Sequence, residues 1–424
     1  MKLYDYQQQI VDNYNGGGIA LFMDMGTGKT ITSLSCFKKS GCHKLLVVCL
    51  ATKTDDWTKE DKSLSIVALN KANPKKNIEL LENNNMVSVS FERVWRMEKE
   101  IMKWIDKDTF VIIDESHKIK NPKSKVSKMM LRLSNKIEHS AILTGTPQSQ
   151  GYIDYYSQLR FIKAYKEPLK AFEDKYCIIR NIPFNGFPVK TIVGYKNTDE
   201  LDKLIKSVAI YKARELDNTL IPSERVIEVK APRLYKSVMR DQVYINKNDE
   251  EFIYDTIGSR LGAARSMVGG TLEGDVITEE KIKHIKALCE ELEGERIVIF
   301  YNLNSELEQL KKALKGVRPV SEYNGHKKDT NNFDKFSNGV ILCQYLAAST
   351  GINNLVKSAY MVFYSLPFSV VDYRQAKGRI DRIGQTRKPM YIHMVMNGTL
   401  EEQVYRNLQA GVDFDEEMFS KIKV

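Results

Sequence analysis

Long apolar runs are missing from this 424-residue sequence. The longest, Leu45 to Ala51, falls far short of the roughly 20 residues a membrane-spanning helix needs, and Met1–Gln7 lacks the apolar stretch of a secretory signal. No membrane partner and a cytoplasmic setting are therefore expected. Cysteine is scarce: Cys36, Cys42, Cys49, Cys177, Cys289 and Cys343 are scattered without a C-x-x-C pair, which argues against a zinc site or a disulfide framework and for reduced thiols. Low-complexity segments and short-period repeats are absent too. With 42% apolar and 28% charged residues, the composition indicates neither a disordered nor a fibrous chain. Acidic residues are outnumbered, 54 Asp and Glu against 64 Lys and Arg, leaving a net charge of +10. That balance suits a polyanionic partner, but a lysine-solvated surface gives the same number, so charge alone selects none.

What is present is an alternation of short β-branched runs with longer amphipathic stretches. Ile19–Met23, Lys44–Leu50, Met86–Ser90, Phe110–Ile113 and Ser140–Leu143 form one series; Arg296–Tyr301, Val340–Cys343, Ala359–Tyr364 and Pro389–Val395 form a second. Buried parallel strands with crossover helices produce such a pattern. The expected fold class is α/β, with two tandem lobes, each a mostly parallel sheet with helices on both faces. The first lobe is placed at residues 1–222 and the second at 223–424, the break falling near Ile221-Pro222-Ser223. Residues from about 148 to 225 lack strand-like runs and read as helices and an extended connector.

The first series carries a phosphate-binding pattern. After the strand Ile19–Met23 come Asp24-Met25-Gly26-Thr27-Gly28-Lys29-Thr30 and a helix-compatible run to Lys39. Glycines let backbone N–H groups approach phosphates, and the following helix presents its positive end. Lys29 is expected on the β- and γ-phosphates and Thr30 on Mg²⁺. Met23 stands where the strict motif has its first glycine. Val111-Ile112-Ile113-Asp114-Glu115 supplies the complementary half, a buried strand ending in two carboxylates. Asp114 is expected to hold Mg²⁺ through water and Glu115 to polarise the attacking water. Arg379 and Arg382, spaced i and i+3, would share a face if helical, and two guanidiniums suit one phosphate.

These motifs, in this order, resemble the helicase-like superfamily 2 ATPases, specifically the Swi/Snf-type branch of DNA translocases. Leu3-Tyr4-Asp5-Tyr6-Gln7 is similar to the opening motif; Val47–Leu50 with Trp57 and Glu60 to motif Ia; Asp114 through Lys125 to the extended motif II; and Leu143–Pro147 to motif III. Ile297–Tyr301, Gly351-Ile352-Asn353 and Gln375–Gln385 resemble motifs IV, V and VI. The resemblance implies two RecA-like lobes with the catalytic set Lys29, Asp114, Glu115, Arg379 and Arg382. It places ATP against Gln7, Gly26, Thr27, Gly28, Lys29, Thr30 and Gln375, and Mg²⁺ on Thr30 and Asp114. It also implies a nucleic-acid track, most simply double-stranded DNA, gripped through Thr144, Thr146, Ser90 and Trp57, with Arg93 and Trp95 beside them. Trp57 has a competing reading as a tryptophan packed beside a helix. Motif V departs from the branch at Ala347-Ala348-Ser349 and Gln344.

The chain leaves no room for large accessory domains, and its many Lys, Asn and Ile residues suggest an AT-rich genome. The expectation is a compact viral or mobile-element motor, working in the bacterial host cytoplasm if viral. ATP-driven translocation along duplex DNA is the leading reading. Unwinding by a true DNA or RNA helicase is the alternative, and an ATP-gated clamp on a protein partner is the third. Retention of Glu115, Arg379 and Arg382 argues against the clamp. A protein loader or replication partner is left open.

Overall fold

The computed structural model describes residues 3–24, 26–148, 151–184, 187–213, 220–348, 352, 354–382 and 384–422. The chain forms two compact units, Met1–Glu215 and Leu216–Val424.

In the first unit the strands are β1 (Gly18–Met23), β2 (Lys44–Cys49), β3 (Val67–Ala68), β4 (Met86–Ser90), β5 (Thr109–Asp114), β6 (His139–Leu143), β7 (Cys177–Phe184), β8 (Phe187–Tyr195) and β9 (Ala209–Lys212). Seven of them form one parallel sheet in the order β3-β4-β2-β5-β6-β1-β9, while β7 and β8 pair as a separate antiparallel hairpin. The central strands are apolar throughout because both faces are covered. Ala20, Phe22, Leu46, Val48, Val111 and Ile113 belong to one core; Leu21, Met23, Leu45, Val47, Phe110 and Ile112 belong to the other. Each such side chain contributes roughly 1.5–3 kcal/mol of burial, which is why the runs stand out in the sequence.

The second unit repeats the plan. Its strands are β10 (Ser223–Val229), β11 (Val243–Ile245), β12 (Glu251–Ile253), β13 (Thr271–Leu272), β14 (Asp275–Val276), β15 (Ile297–Tyr301), β16 (Val320–Tyr323), β17 (Lys328–Asp329), β18 (Val340–Gln344), β19 (Tyr360–Phe363) and β20 (Met390–Met396). The main sheet runs β10-β20-β19-β15-β18-β16-β17, parallel except for the β16–β17 pair at one edge. Two tandem α/β units, each with a mostly parallel sheet, are what the alternating pattern predicts.

The connector is where expectation and structure part. Residues 148–225 contain not only helices but also the β7–β8 hairpin, the strand β9 that completes the first sheet beside β1, and the start of β10. β9 and β10 are edge strands, and an edge strand needs only one apolar face. The pattern Ser-Glu-Arg-Val-Ile-Glu-Val of β10, mostly exposed, hides it from a search for buried runs. All six cysteines are free thiols, and no helix among the described residues is long and apolar enough to cross a membrane.

Two buried charges hold the second unit's helices to its sheet. The Arg318 guanidinium donates to the carbonyls of Cys289 and Leu292 at the end of the helix Glu280–Glu291, and to those of Glu295 and Asn338. Lys281 lies 2.7 Å from Glu401 and also donates to the Tyr364 carbonyl, while Glu401 accepts from the Met396 amide. Burial pushes the Glu401 carboxyl up, and Lys281 opposes that shift. Removing one partner strands the other charge in the core. Lys281→Met is therefore expected to lower unfolding free energy by about 3–5 kcal/mol, and Lys281→Met with Glu401→Leu to recover most of that loss. Denaturant midpoints measure both; a single variant as stable as the parent would show that the pair carries no structural weight.

Candidate functional site

The site begins with sheet register. Leu21 of β1 and Asp114 of β5 both pair with Leu143 of β6, so the carboxyl ends of β1 and β5 finish at one level on the same edge. The loop after β1 and the acidic pair after β5 share that edge, the usual ligand-binding end of a parallel sheet.

The loop turns through left-handed Gly26 and Gly28, with φ of 79° and 77°. A Cβ on Gly28 would overlap the Gln7 amide, whereas one on Gly26 would meet nothing. Helix Lys29–Ser40 starts directly after Gly28. Thr27 Oγ1 donates to the Asp24 carbonyl at 2.7 Å, and Tyr6 and Gln7 both donate to the Thr27 carbonyl, at 2.6 and 3.1 Å. Gln7 is buried with its amide on the loop; the cavity of about 530 Å³ nearby, between helix Asp5–Asn13 and β9, is lined instead by Tyr6, Gln9, Ile10, Tyr14 and Lys212. Met25 lies outside the described residues.

Lys29 Nζ donates to the carbonyls of Met23 and Asp24 at 2.7 and 2.9 Å. Burial lowers its pKa, opposed by the charges of Glu115, Asp114 and Asp24. Asp114 shows the reverse: burial, then the neighbouring Glu115, push its carboxyl up to about 6, against the pull of Lys29, the Trp57 indole and Lys53. Two crowded carboxylates beside one lysine make a place where a further cation is favourable. Thr30 opens the helix, partly buried. Among the described residues no three Asp, Glu, His or Cys side chains gather into a metal cage. A Mg²⁺ ion held by one or two protein ligands and phosphate oxygens needs none, so the donor set fits.

Glu115 has left-handed backbone, φ 54° and ψ 54°, uncommon for a residue with a Cβ. Its amide donates to Asp114 Oδ1 at 3.0 Å, and its carboxylate lies 3.3 Å from His117 Nδ1, which also lies 3.3 Å from Thr144 Oγ1. Thr144 in turn accepts from the Thr146 amide at 3.1 Å. A chain of polar contacts thus runs from the acidic pair to the loop after β6.

The structure places the residues expected on the track mostly in the interior of the first unit. Trp57 is 2% exposed, and its indole N–H donates to Asp114 Oδ2 at 3.3 Å, so it is packed against the acidic pair, in line with the packed reading of this tryptophan. Ser90 is buried and its hydroxyl accepts from the Arg93 amide as a helix cap. Thr144 is fully buried and occupied as described. Of the four, only Thr146 has a partly accessible side chain. Nearby, Lys125 and Arg96 lie over the Trp95 ring. The indole bond to Asp114 was not legible in the sequence, since nothing local links residues 57 and 114.

In the second unit, Gln375 is buried in helix Val370–Lys377. Arg379 and Arg382 are not on that helix, contrary to the expectation of a shared helical face. The helix stops at Lys377 with Gly378 as its cap, and the next residues form turns held by Gln385, whose amide donates to the carbonyls of Val356, Ser358 and Ile380. Arg379 is buried and Arg382 partly so. Of the motif V residues, Ser349, Gly351 and Asn353 fall outside the described residues; Ile352 is buried and its carbonyl accepts from Arg379 at 3.5 Å.

Comparison with known proteins is consistent with this layout. A fly SWI/SNF-related matrix-associated actin-dependent regulator of chromatin subfamily A-like protein 1 (Drosophila melanogaster) is 23% identical over 96% of this chain and 54% of its own length. The uncharacterized ATP-dependent helicase YqhH of Bacillus subtilis is 23% identical over 98% of this chain and 78% of its length, and mouse DNA repair and recombination protein RAD54B is 20% identical over 92% and 52%. The chain thus spans about half the length of several relatives it matches. The Sulfolobus solfataricus SWI2/SNF2 ATPase core in complex with dsDNA aligns over 99% of this chain and 92% of that one at 20% identity, with a TM-score of 0.45. Residues 280–384 match the helicase conserved C-terminal domain, and residues 6–260, more than half of the chain, match the SNF2-related domain, so the chain belongs to the SNF2-related, Swi/Snf-type family that its motifs resemble.

Proposed function

We propose that the chain is an ATP-driven motor that couples hydrolysis to translocation along duplex DNA. The observation that carries the reading is the edge where the glycine loop with Lys29 meets Asp114 and Glu115, electrostatically coupled and linked through His117 to Thr144. Family membership and relatives named as ATP-dependent helicase and DNA repair protein support it. We assign residues 1–222 to the first RecA-like lobe with its connector and 223–424 to the second.

In this reading Lys29 and the amides of Gly26, Thr27 and Gly28 bind the phosphates, while Gln7 fixes the loop from behind. Thr30 and Asp114 hold Mg²⁺, which neutralises charge on the phosphates when bound. Trp57 orients Asp114 by occupying one carboxylate oxygen. Glu115 draws a proton from the attacking water, its left-handed backbone and the His117 contact fixing its aim. Arg379 and Arg382 stabilise the charge of the transferring phosphoryl group in this reading, with Gln375 among the nucleotide contacts. The track contacts fall to Thr146 and to backbone amides, with Lys125 and Arg96 as phosphate partners, a set that positions without reading sequence. A viral or mobile-element setting in a bacterial cytoplasm is the biological counterpart, supported by the Lys-, Asn- and Ile-rich composition.

Lys29→Ala is expected to weaken nucleotide binding and abolish turnover, whereas Glu115→Gln should still bind ATP and not hydrolyse it; near-parental hydrolysis by Glu115→Gln, in a phosphate-release assay, would remove it as the base. Arg379→Ala and Arg382→Ala should each lower the turnover number by on the order of 10³–10⁵ with a nearly unchanged ATP dissociation constant. Equilibrium binding and turnover together separate the two effects, and unaffected turnover would take the arginines out of the reaction. Duplex DNA should stimulate the ATPase at least as well as single strands, with log affinity falling against log salt by about 0.9 per neutralised phosphate. Triplex displacement with the duplex left closed is the expected readout; unwinding of a forked duplex without it would instead make the chain a helicase.

A further inference from the structure

Gln158 lies in the helix Tyr155–Phe161 and is completely buried, as is Ser116, the residue after Glu115. The Gln158 amide has three partners. Its Nε2 donates to the Pro147 carbonyl at 2.8 Å and to the Asp154 carbonyl at 2.9 Å, and its Oε1 accepts from Ser116 Oγ at 2.7 Å. The two carbonyls can only accept, so they fix which end of the amide carries the N–H groups and turn the oxygen towards Ser116. One side chain therefore ties the loop after β6, which contains Thr146 and Pro147, to the segment that begins with Glu115. Lys120, further along that segment, lies 3.8 Å from Asp154, at the start of the helix that carries Gln158.

The net contribution of such hydrogen bonds to stability is modest, because folding exchanges them for bonds to water. What the amide adds is position. Glu115 has strained backbone, and Ser116, the next residue, is anchored by this bond as the first residue of the short helix Ser116–Ile119. A shift of the Pro147 carbonyl breaks or drags the amide, and the amide drags Ser116.

We infer that Gln158 is a positioning residue that couples the loop 144–148 to the segment carrying Glu115, so that contact with the track adjusts the water-activating carboxylate. This rests on the proposed roles of Glu115 and of Thr146. Gln158 itself touches no reacting atom.

The test compares Gln158→Met, Ser116→Ala and the double variant in the full chain. Gln158→Met should keep the ATP dissociation constant and the unstimulated rate while duplex-stimulated turnover falls about tenfold, equivalent to about 1.4 kcal/mol. Ser116→Ala should move the same way, and the double variant should be no worse than Gln158→Met alone, because both break one link. A fall in melting temperature with full duplex stimulation retained would mean that the amide merely packs, and would overturn the inference. A DNA-free measurement keeps the relay separate from the motor reading. On binding a non-hydrolysable ATP analogue with Mg²⁺, amide hydrogen exchange of residues 115–119 and 144–148 should change together in the parent, and only residues 115–119 should respond in Gln158→Met. Joint change in the variant, or no joint change in the parent, also overturns the relay. Absence of duplex stimulation in the parent would count against the motor reading alone.

Discussion

Two carboxylates at the end of a buried strand are the constraint on which the first unit is organised. Asp114 and Glu115 crowd each other where water is scarce, and the carboxyl of Asp114 is pushed up to about 6 as a result. The surroundings compensate with donors of several kinds: the ammonium of Lys29 from the start of the helix after the glycine loop, the indole of Trp57, the amide of Glu115 and the ring of His117. They come from three stretches of chain, so satisfying this pair fixes the mutual placement of the glycine loop, the segment after β2 and the segment after β5, which His117 links on to Thr144 after β6. The electrostatic requirement and the chemistry call for the same arrangement, since a site short of positive charge is also one that favours a metal–phosphate ligand.

The sheets were legible in the sequence to within a residue or two at most central strands. A strand buried on both faces has to be apolar throughout, as Lys44–Cys49 and Ile297–Tyr301 are, and that signal survives without any alignment. Edge strands lack it: β9 and β10 bury one side at most, and the connector expected over 148–225 contains β9 and the start of β10. The glycine loop and the acidic pair were legible because their chemistry is carried by neighbours in sequence. The interior roles of Trp57, Ser90 and Thr144 were not, because their partners lie elsewhere in the chain. Hydroxyl and indole groups that look like ligand contacts in a motif are here bonded to the protein. Arg379 and Arg382 fall beyond the helix, which ends at Lys377, in turns held by the Gln385 amide where the i, i+3 rule expects a helix.

Taken with the family match, these features give a division of labour. The first sheet's edge carries the loop, the acidic pair and the contacts to the segment after β6, while the second unit carries the arginines on a turn stiffened by Gln385. The second unit's own interior is secured differently, by the Lys281–Glu401 pair, which is bonded at the ends of β19 and β20, and by the Arg318 guanidinium.

The strand β9 has a mechanical consequence. Met23, the last residue before the glycine loop, pairs with Lys212, and the Lys212 carbonyl accepts from the Asp24 amide at 3.0 Å, while the Lys212 ammonium sits over the Tyr6 ring. Lys212 is also among the last residues of the first unit before the chain passes to the second. The last strand of the first unit is therefore fastened to the root of the loop itself. Displacing β9 would disturb Asp24 through a single hydrogen bond, so the root of the glycine loop is held by the sheet's edge strand as well as by β1.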